Sequence, residues 1–151
     1  MSVRIRESRE GDFDELWRID QECFPRGIAY SRAELAYYMA HCDGFTLVAE
    51  LEEEPPIAGF VVGQRHRHRR GHIVTIDVRE EARRLGVGSH LMGAAEERLR
   101  AGGCDSIYLE TAVDNELALQ FYKRHGYFVL KTIPRYYMGK IDALLMEKRL
   151  E

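Results

Sequence analysis

The stretch Ile73-Val74-Thr75-Ile76-Asp77-Val78-Arg79-Glu80-Glu81-Ala82-Arg83-Arg84-Leu85-Gly86-Val87-Gly88 decides the fold. An apolar strand ending at Val78 runs into a charged turn, then two glycines one residue apart, then a helical pattern. Glycine lets backbone approach a ligand closely because no Cβ intervenes. A helix start adds unpaired N–H groups and the positive end of the macrodipole. Arg83 and Arg84 place full charges beside it. Together these make a cradle for phosphates. The run is not the dinucleotide fingerprint, whose third glycine it lacks, nor the Walker loop, whose Gly-Lys-Ser/Thr ending it lacks. By itself it fits a structural turn as well as a phosphate site.

At 151 residues and 45% hydrophobic, the chain fits one domain over 1–151, long enough to bury a sizeable core. A net charge of −3 from 22 basic and 25 acidic residues argues against a general nucleic-acid binder or a membrane-surface protein. No apolar run reaches membrane-spanning length, and Met1-Ser2-Val3-Arg4-Ile5-Arg6 lacks the apolar core of a signal peptide. Cys23, Cys42 and Cys104 are few, odd in number and widely spaced, which suits a reduced, cytoplasmic protein. A small buried hydrophobe is the expectation for each.

Along the chain, Val3 to Glu7 alternates like a short strand and Asp12 to Phe24 reads as a helix stopped by Pro25. Ser31-Arg32-Ala33-Glu34 is a capping box opening a second helix. Strands are expected at Phe45–Leu51, Ile57–Gly63 and His72–Val78, the last two joined around Gln64 to Gly71. Gly86 to Ala101 is a helix with Leu91, Met92, Ala95 and Leu99 inward, ended by Gly102-Gly103. Ile107–Val113 is a strand, Asn115–His125 a helix, and two further strands run from Gly126 to Ile133 and from Ala143 to Leu150. The order β-α-α-β-β-β-α-β-α-β-β implies an α/β sandwich with a mixed sheet, not a doubly wound one.

A second constellation follows in Leu109-Glu110-Thr111-Ala112-Val113-Asp114-Asn115 and on through Phe121-Tyr122 to Gly126-Tyr127. Glu110 sits within an apolar strand, where an unpaired carboxylate is costly. Asn115 and Tyr122 are seven residues apart and share one helix face. Carboxylate, amide and phenol thus converge beside the glycine turn, and carboxylate and phenol are a base and an acid. Taken singly, Glu110 also fits a half-exposed strand edge, Tyr122 a core aromatic and Asn115 a helix cap.

The two motifs together resemble the GNAT superfamily of N-acetyltransferases. Arg83 to Gly88 is similar to its signature of Arg or Gln, two residues, Gly, one residue, Gly or Ala, and Asn115 to Tyr127 to its Asn…Ala…Phe-Tyr…Gly-Tyr/Phe segment. The chain further resembles the branch that acetylates protein N-termini, including ribosomal-protein-alanine acetyltransferases. It shares Cys23-Phe24-Pro25, Leu109-Glu110, Arg135-Tyr136-Tyr137 and Asp142-Ala143 followed by Met146. Thr111-Ala112 and Met138-Gly139-Lys140-Ile141 depart from that branch's pattern.

The resemblance implies a GNAT-like fold with a mixed, mainly antiparallel sheet flanked by helices. It implies acetyl-CoA as co-substrate, held by Ile76, Val78, Arg83, Arg84, Leu85, Gly86, Val87, Gly88 and Ser89, with Asn115 and Tyr122 beside its pantetheine and thioester. It makes Glu110 the catalytic base and Tyr122 the acid, with Phe24, Pro25, Tyr30, Tyr136 and Tyr137 around the acceptor. No metal is expected. The acceptor it implies is a protein or peptide N-terminus, whose α-amine, with an intrinsic pKa of roughly 8, needs only a modest base. A small-molecule amine is the alternative acceptor, and a non-catalytic acyl-CoA sensor the alternative class; a homodimer is compatible with each.

His66-Arg67-His68-Arg69-Arg70-Gly71-His72 reads as a solvated basic turn. Its histidines alternate across the hairpin tip with no cysteine or carboxylate partners, which argues against zinc. Arg67, Arg69 and Arg70 leave docking of an acidic partner, such as ribosomal RNA, as a minority reading.

Overall fold

The computed structural model describes residues 2–150; Met1 and Glu151, the outer limits of the expected domain, lie outside them. The elements follow in the expected order: β1 (Arg4–Glu7), α1 (Phe13–Cys23), α2 (Arg32–Met39), β2 (Gly44–Glu50), β3 (Ile57–His66), β4 (Arg70–Val78), α3 (Val87–Ala101), β5 (Ser106–Ala112), α4 (Glu116–Arg124), β6 (Phe128–Tyr137) and β7 (Ile141–Arg149). Local chemistry sets their ends. Phe24, preceding Pro25, is forced extended at φ −130° and stops α1. Ser31 Oγ accepts the Glu34 N–H at 3.1 Å while Glu34 accepts the Ser31 N–H at 2.9 Å, completing the capping box of α2.

Two boundaries differ from the sequence reading. The β3–β4 turn is only Arg67–Arg69, because His68 and Arg69 take φ of 61° and 59°, the left-handed geometry that matches hairpin twist. Strand β6 continues past Ile133 to Tyr137 through irregular pairing with β7, so Tyr136 and Tyr137 lie on a strand. The thiols also divide: Cys104 is buried, Cys23 half-buried, and Cys42 exposed between α2 and β2, which corrects the expectation that all three are core residues.

The sheet order is β1-β2-β3-β4-β5-β7-β6. All neighbours are antiparallel except β4 and β5, which the crossover helix α3 makes parallel. Period-two alternation divides the core. Leu47, Ala49 and Val61 face Leu91, Met92, Ala95 and Leu99 of α3, whereas Val48, Phe60 and Val62 face Leu16 and Ile19 of α1 and Leu35 of α2. Strand β3, covered on both faces, is buried from Ile57 to Gln64.

Under α1 this core holds two carboxyl groups, Asp20 (0% exposed) and Asp77 of β4 (1%). The Tyr30 N–H donates to Asp20 Oδ2 at 2.8 Å and Thr75 Oγ1 donates to Asp77 Oδ1 at 2.6 Å. Asp20 Oδ1 and Asp77 Oδ2 have no donor, so a proton between the two carboxyls satisfies both. Burial, then the Asp20 carboxyl, hold the Asp77 pKa well above the carboxylate range. A raised native pKa means this stabilisation is complete below the unfolded value of about 3.9 and declines as pH rises toward the native value. Asp77→Asn keeps the acceptor for Thr75 and donates to Asp20 without needing a proton. Thermal unfolding should therefore show the variant more stable than wild type at pH 8 and little different at pH 4; an equal difference at both pH values would contradict the shared proton.

Candidate active site

Strands β4 and β5 pair at only three positions, Arg70–Ser106, Gly71–Ile107 and His72–Tyr108. Directly beyond, β4 carries one extra residue against β3: Ile73 faces Gly63 and Thr75 faces Val62, leaving Val74 bulged. A bulge bends a strand and increases its twist, and β4 turns away from β5. The space between them is a cleft of about 1050 Å³.

The ladder decides which backbone groups face it. Arg79 N–H donates to Ala58 O at 2.9 Å, so in the β3–β4 register Asp77 bonds β3 while Ile76 and Val78 turn N–H and C=O toward the cleft. Val78 O is already met there by Arg83 Nε at 3.1 Å and Cys23 Sγ at 3.4 Å. Burial pushes the Cys23 thiol up to about 12, a pKa unsuited to a nucleophile.

The glycine turn forms the cleft's end. Gly86 holds φ +80° and the first helical bond, His90 N–H to Gly86 O at 3.0 Å, leaves the Val87, Gly88 and Ser89 N–H groups without helical acceptors. That donor set fits a pyrophosphate. Gly88 has a packing reason as well: a Cβ there would stand 3.0 Å from the Phe121 ring of α4. Arg84 is exposed at the mouth, Arg83 folds back over Val78, and Leu85 projects outward, 42% exposed and away from the cleft.

Tyr122 lines the cleft from α4 and is itself buried; burial, then the nearby Asp77, raise its phenol pKa, so it stays protonated. Asn115 lines it too, with Oδ1 accepting the Ala118 N–H at 3.2 Å as the α4 cap. Glu110 lines the cleft from β5, and its Oε1 lies 2.8 Å from His72 Nε2. This corrects the reading of the histidine run in one respect: His72, which opens the expected strand, has a carboxylate partner.

Phe24, Pro25 and Tyr30 from the α1–α2 loop face Tyr137 across the opening. Tyr30 donates its hydroxyl to Val74 O at 3.2 Å, closing the bulge carbonyl. Tyr136 does not line the cleft; it is 48% exposed and packs edge-on against Tyr137 at 4.9 Å. Gly27 carries the Met138 side chain against its backbone, where a Cβ would meet Sδ at 2.0 Å, joining the α1–α2 loop to the β6–β7 turn. Sequence reasoning missed His72, Asp77 and Cys23. The β4–α3–β5 crossover was the signal for the first, since a parallel pair aligns the two strand starts.

The comparisons agree with this geometry. Residues 13–127 match the acetyltransferase (GNAT) family. An uncharacterized N-acetyltransferase of Methanocaldococcus jannaschii is 33% identical over 146 residues, 96% of this chain and 90% of the relative. An N-alpha-acetyltransferase of Sulfurisphaera tokodaii is 28% identical over 161 residues, 95% of this chain and 90% of the relative. The crystal structure of Ard1 from Thermoplasma volcanium superposes with a TM-score of 0.90 at 27% identity, covering 100% of this chain and 99% of that one. The chain belongs to the GNAT acetyltransferase family and is an acyltransferase that uses acetyl-CoA.

Proposed function

We propose that the chain transfers acetyl from acetyl-CoA to the N-terminal α-amine of a protein or peptide, by direct attack within a ternary complex. The observation that carries this reading is that Glu110 and Tyr122 reach one cleft from different walls, one beside the loops of the acceptor side and one beside the glycine turn. Acetyl-CoA supplies an already activated thioester, so the residues need only bind, orient and move protons. In this reading the Val87, Gly88 and Ser89 N–H groups, with Arg84, hold the pyrophosphate. Backbone N–H groups of Ile76 and Val78 polarise the acetyl carbonyl.

The acceptor enters between the α1–α2 loop and Tyr137. Glu110 removes its ammonium proton, directly or through a water, and the neutral nitrogen attacks the carbonyl carbon. The C–S bond breaks as the tetrahedral intermediate collapses, Tyr122 gives its proton to the leaving thiolate, and the second proton of the attacking nitrogen leaves through water and restores the Tyr122 phenol. A phenol held protonated by burial remains a donor at neutral pH. The relative named an N-alpha-acetyltransferase, aligned over nearly all of both chains, supports an α-amine as acceptor. So does the low intrinsic pKa of that amine, roughly 8 against 10.4 for lysine.

Two outcomes test the proposal. Mass spectrometry of free-N-terminal peptides, N-blocked lysine peptides and small amines, mixed with the protein and acetyl-CoA, should locate acetyl on free N-termini alone. Acetyl confined to lysines or small amines would overturn the acceptor. Tyr122→Phe should lower kcat on the order of 10²- to 10⁴-fold with acetyl-CoA affinity within about twofold; wild-type turnover would remove Tyr122 as the acid.

A further inference from the structure

Glu110 is not a solitary carboxylate. His72 is the last β4 residue paired with β5, opposite Tyr108, and its Nε2 sits 2.8 Å from Glu110 Oε1. The imidazole is held from its flat side: it stacks on the Tyr108 ring at 4.5 Å and 9°, and the Arg70 guanidinium lies 4.3 Å from that same ring. His72 and Glu110 side chains are 15% and 17% exposed. A nitrogen facing a carboxylate carries the proton, so Nε2–H donates and, in the neutral ring, Nδ1 is bare. One oxygen of Glu110 is thereby occupied by His72, and Oε2 is left for the cleft.

Resting on the reading of Glu110 as the base, we propose that His72 is a positioning residue for acetyl transfer: its Nε2–H fixes the carboxylate with Oε2 toward the acceptor amine. The groups around the pair are His66 of β3, with its ring 5.7 Å from His72; Arg70 of β4; Tyr108 of β5; Tyr136 and Tyr137 of β6; and Tyr38 of α2.

Steady-state kinetics with a free-N-terminal peptide tests this in four chains: wild type, His72→Phe, His72→Gln and the double variant His72→Phe/Glu110→Gln. Phe keeps the ring packing on Tyr108 and removes the donor; Gln keeps a donor. His72→Phe should lower kcat on the order of ten- to a hundredfold with the KM for acetyl-CoA within about twofold. His72→Gln should recover most of that loss, because its side-chain amide N–H can still donate to Glu110. His72→Phe should add nothing in the Glu110→Gln background. Full activity in His72→Phe, or equal losses in the Phe and Gln variants, would overturn the role of His72. Full activity in Glu110→Gln alone would instead remove the base assignment beneath it, so the two failures are distinct.

Discussion

The end of the β4–β5 pairing at His72 and Tyr108 is the constraint on which the molecule's chemistry depends. Two parallel strands that stayed paired would satisfy each other's backbone groups and leave no cleft. The extra residue Val74 bends β4 away, and the N–H and C=O groups of Ile76 and Val78 then face open space. Such unpaired groups in a buried sheet are costly unless something meets them. Arg83 and Cys23 meet Val78 O, and Tyr30 meets the Val74 carbonyl. In the proposed reaction the substrate takes part of the remainder.

Around that opening the ionisable groups are separated by environment. Beneath β4, Asp77 is closed off under α1 and held toward its neutral form. Tyr122 is kept protonated by burial on the cleft wall. Glu110, at the point where the strands part, instead has a histidine donor and partial exposure. A buried phenol suited to giving a proton and a partnered carboxylate suited to taking one therefore occupy the same cleft, and their placement follows from which strand or helix face each residue falls on.

Much of this was legible in the sequence because it depends on near neighbours. The Ser31 capping box, the Asn115 cap, the stop before Pro25 and the glycine turn each involve residues within a few positions, and the structure keeps them all. Element order and the mixed sheet followed from periodicity. The His72–Glu110 bond did not, because 38 positions separate the two and only the parallel register of β4 on β5 brings them together. Asp20 and Asp77 were invisible for the same reason: each reads as an ordinary polar residue until α1 is laid on β4. The sequence left Gly88 open between ligand approach and a structural turn, and its contact with Phe121 shows that helix packing asks for glycine there too. Tyr136 and Tyr137 read as equivalent neighbours, but strand alternation in β6 sends only Tyr137 into the cleft.

The most direct measurement of the central claim is a crystal structure of the protein with a conjugate joining CoA to a short peptide through an acetyl bridge at its α-nitrogen. The account predicts the bridging carbonyl between Ile76–Val78 and Ala112, the pyrophosphate on the Val87–Ser89 N–H groups, the sulfur beside Tyr122, and the α-nitrogen within direct or one-water reach of Glu110 Oε2. A conjugate whose CoA bound there but whose α-nitrogen lay away from Glu110, with the peptide leaving by a path other than the gap between the α1–α2 loop and Tyr137, would contradict it.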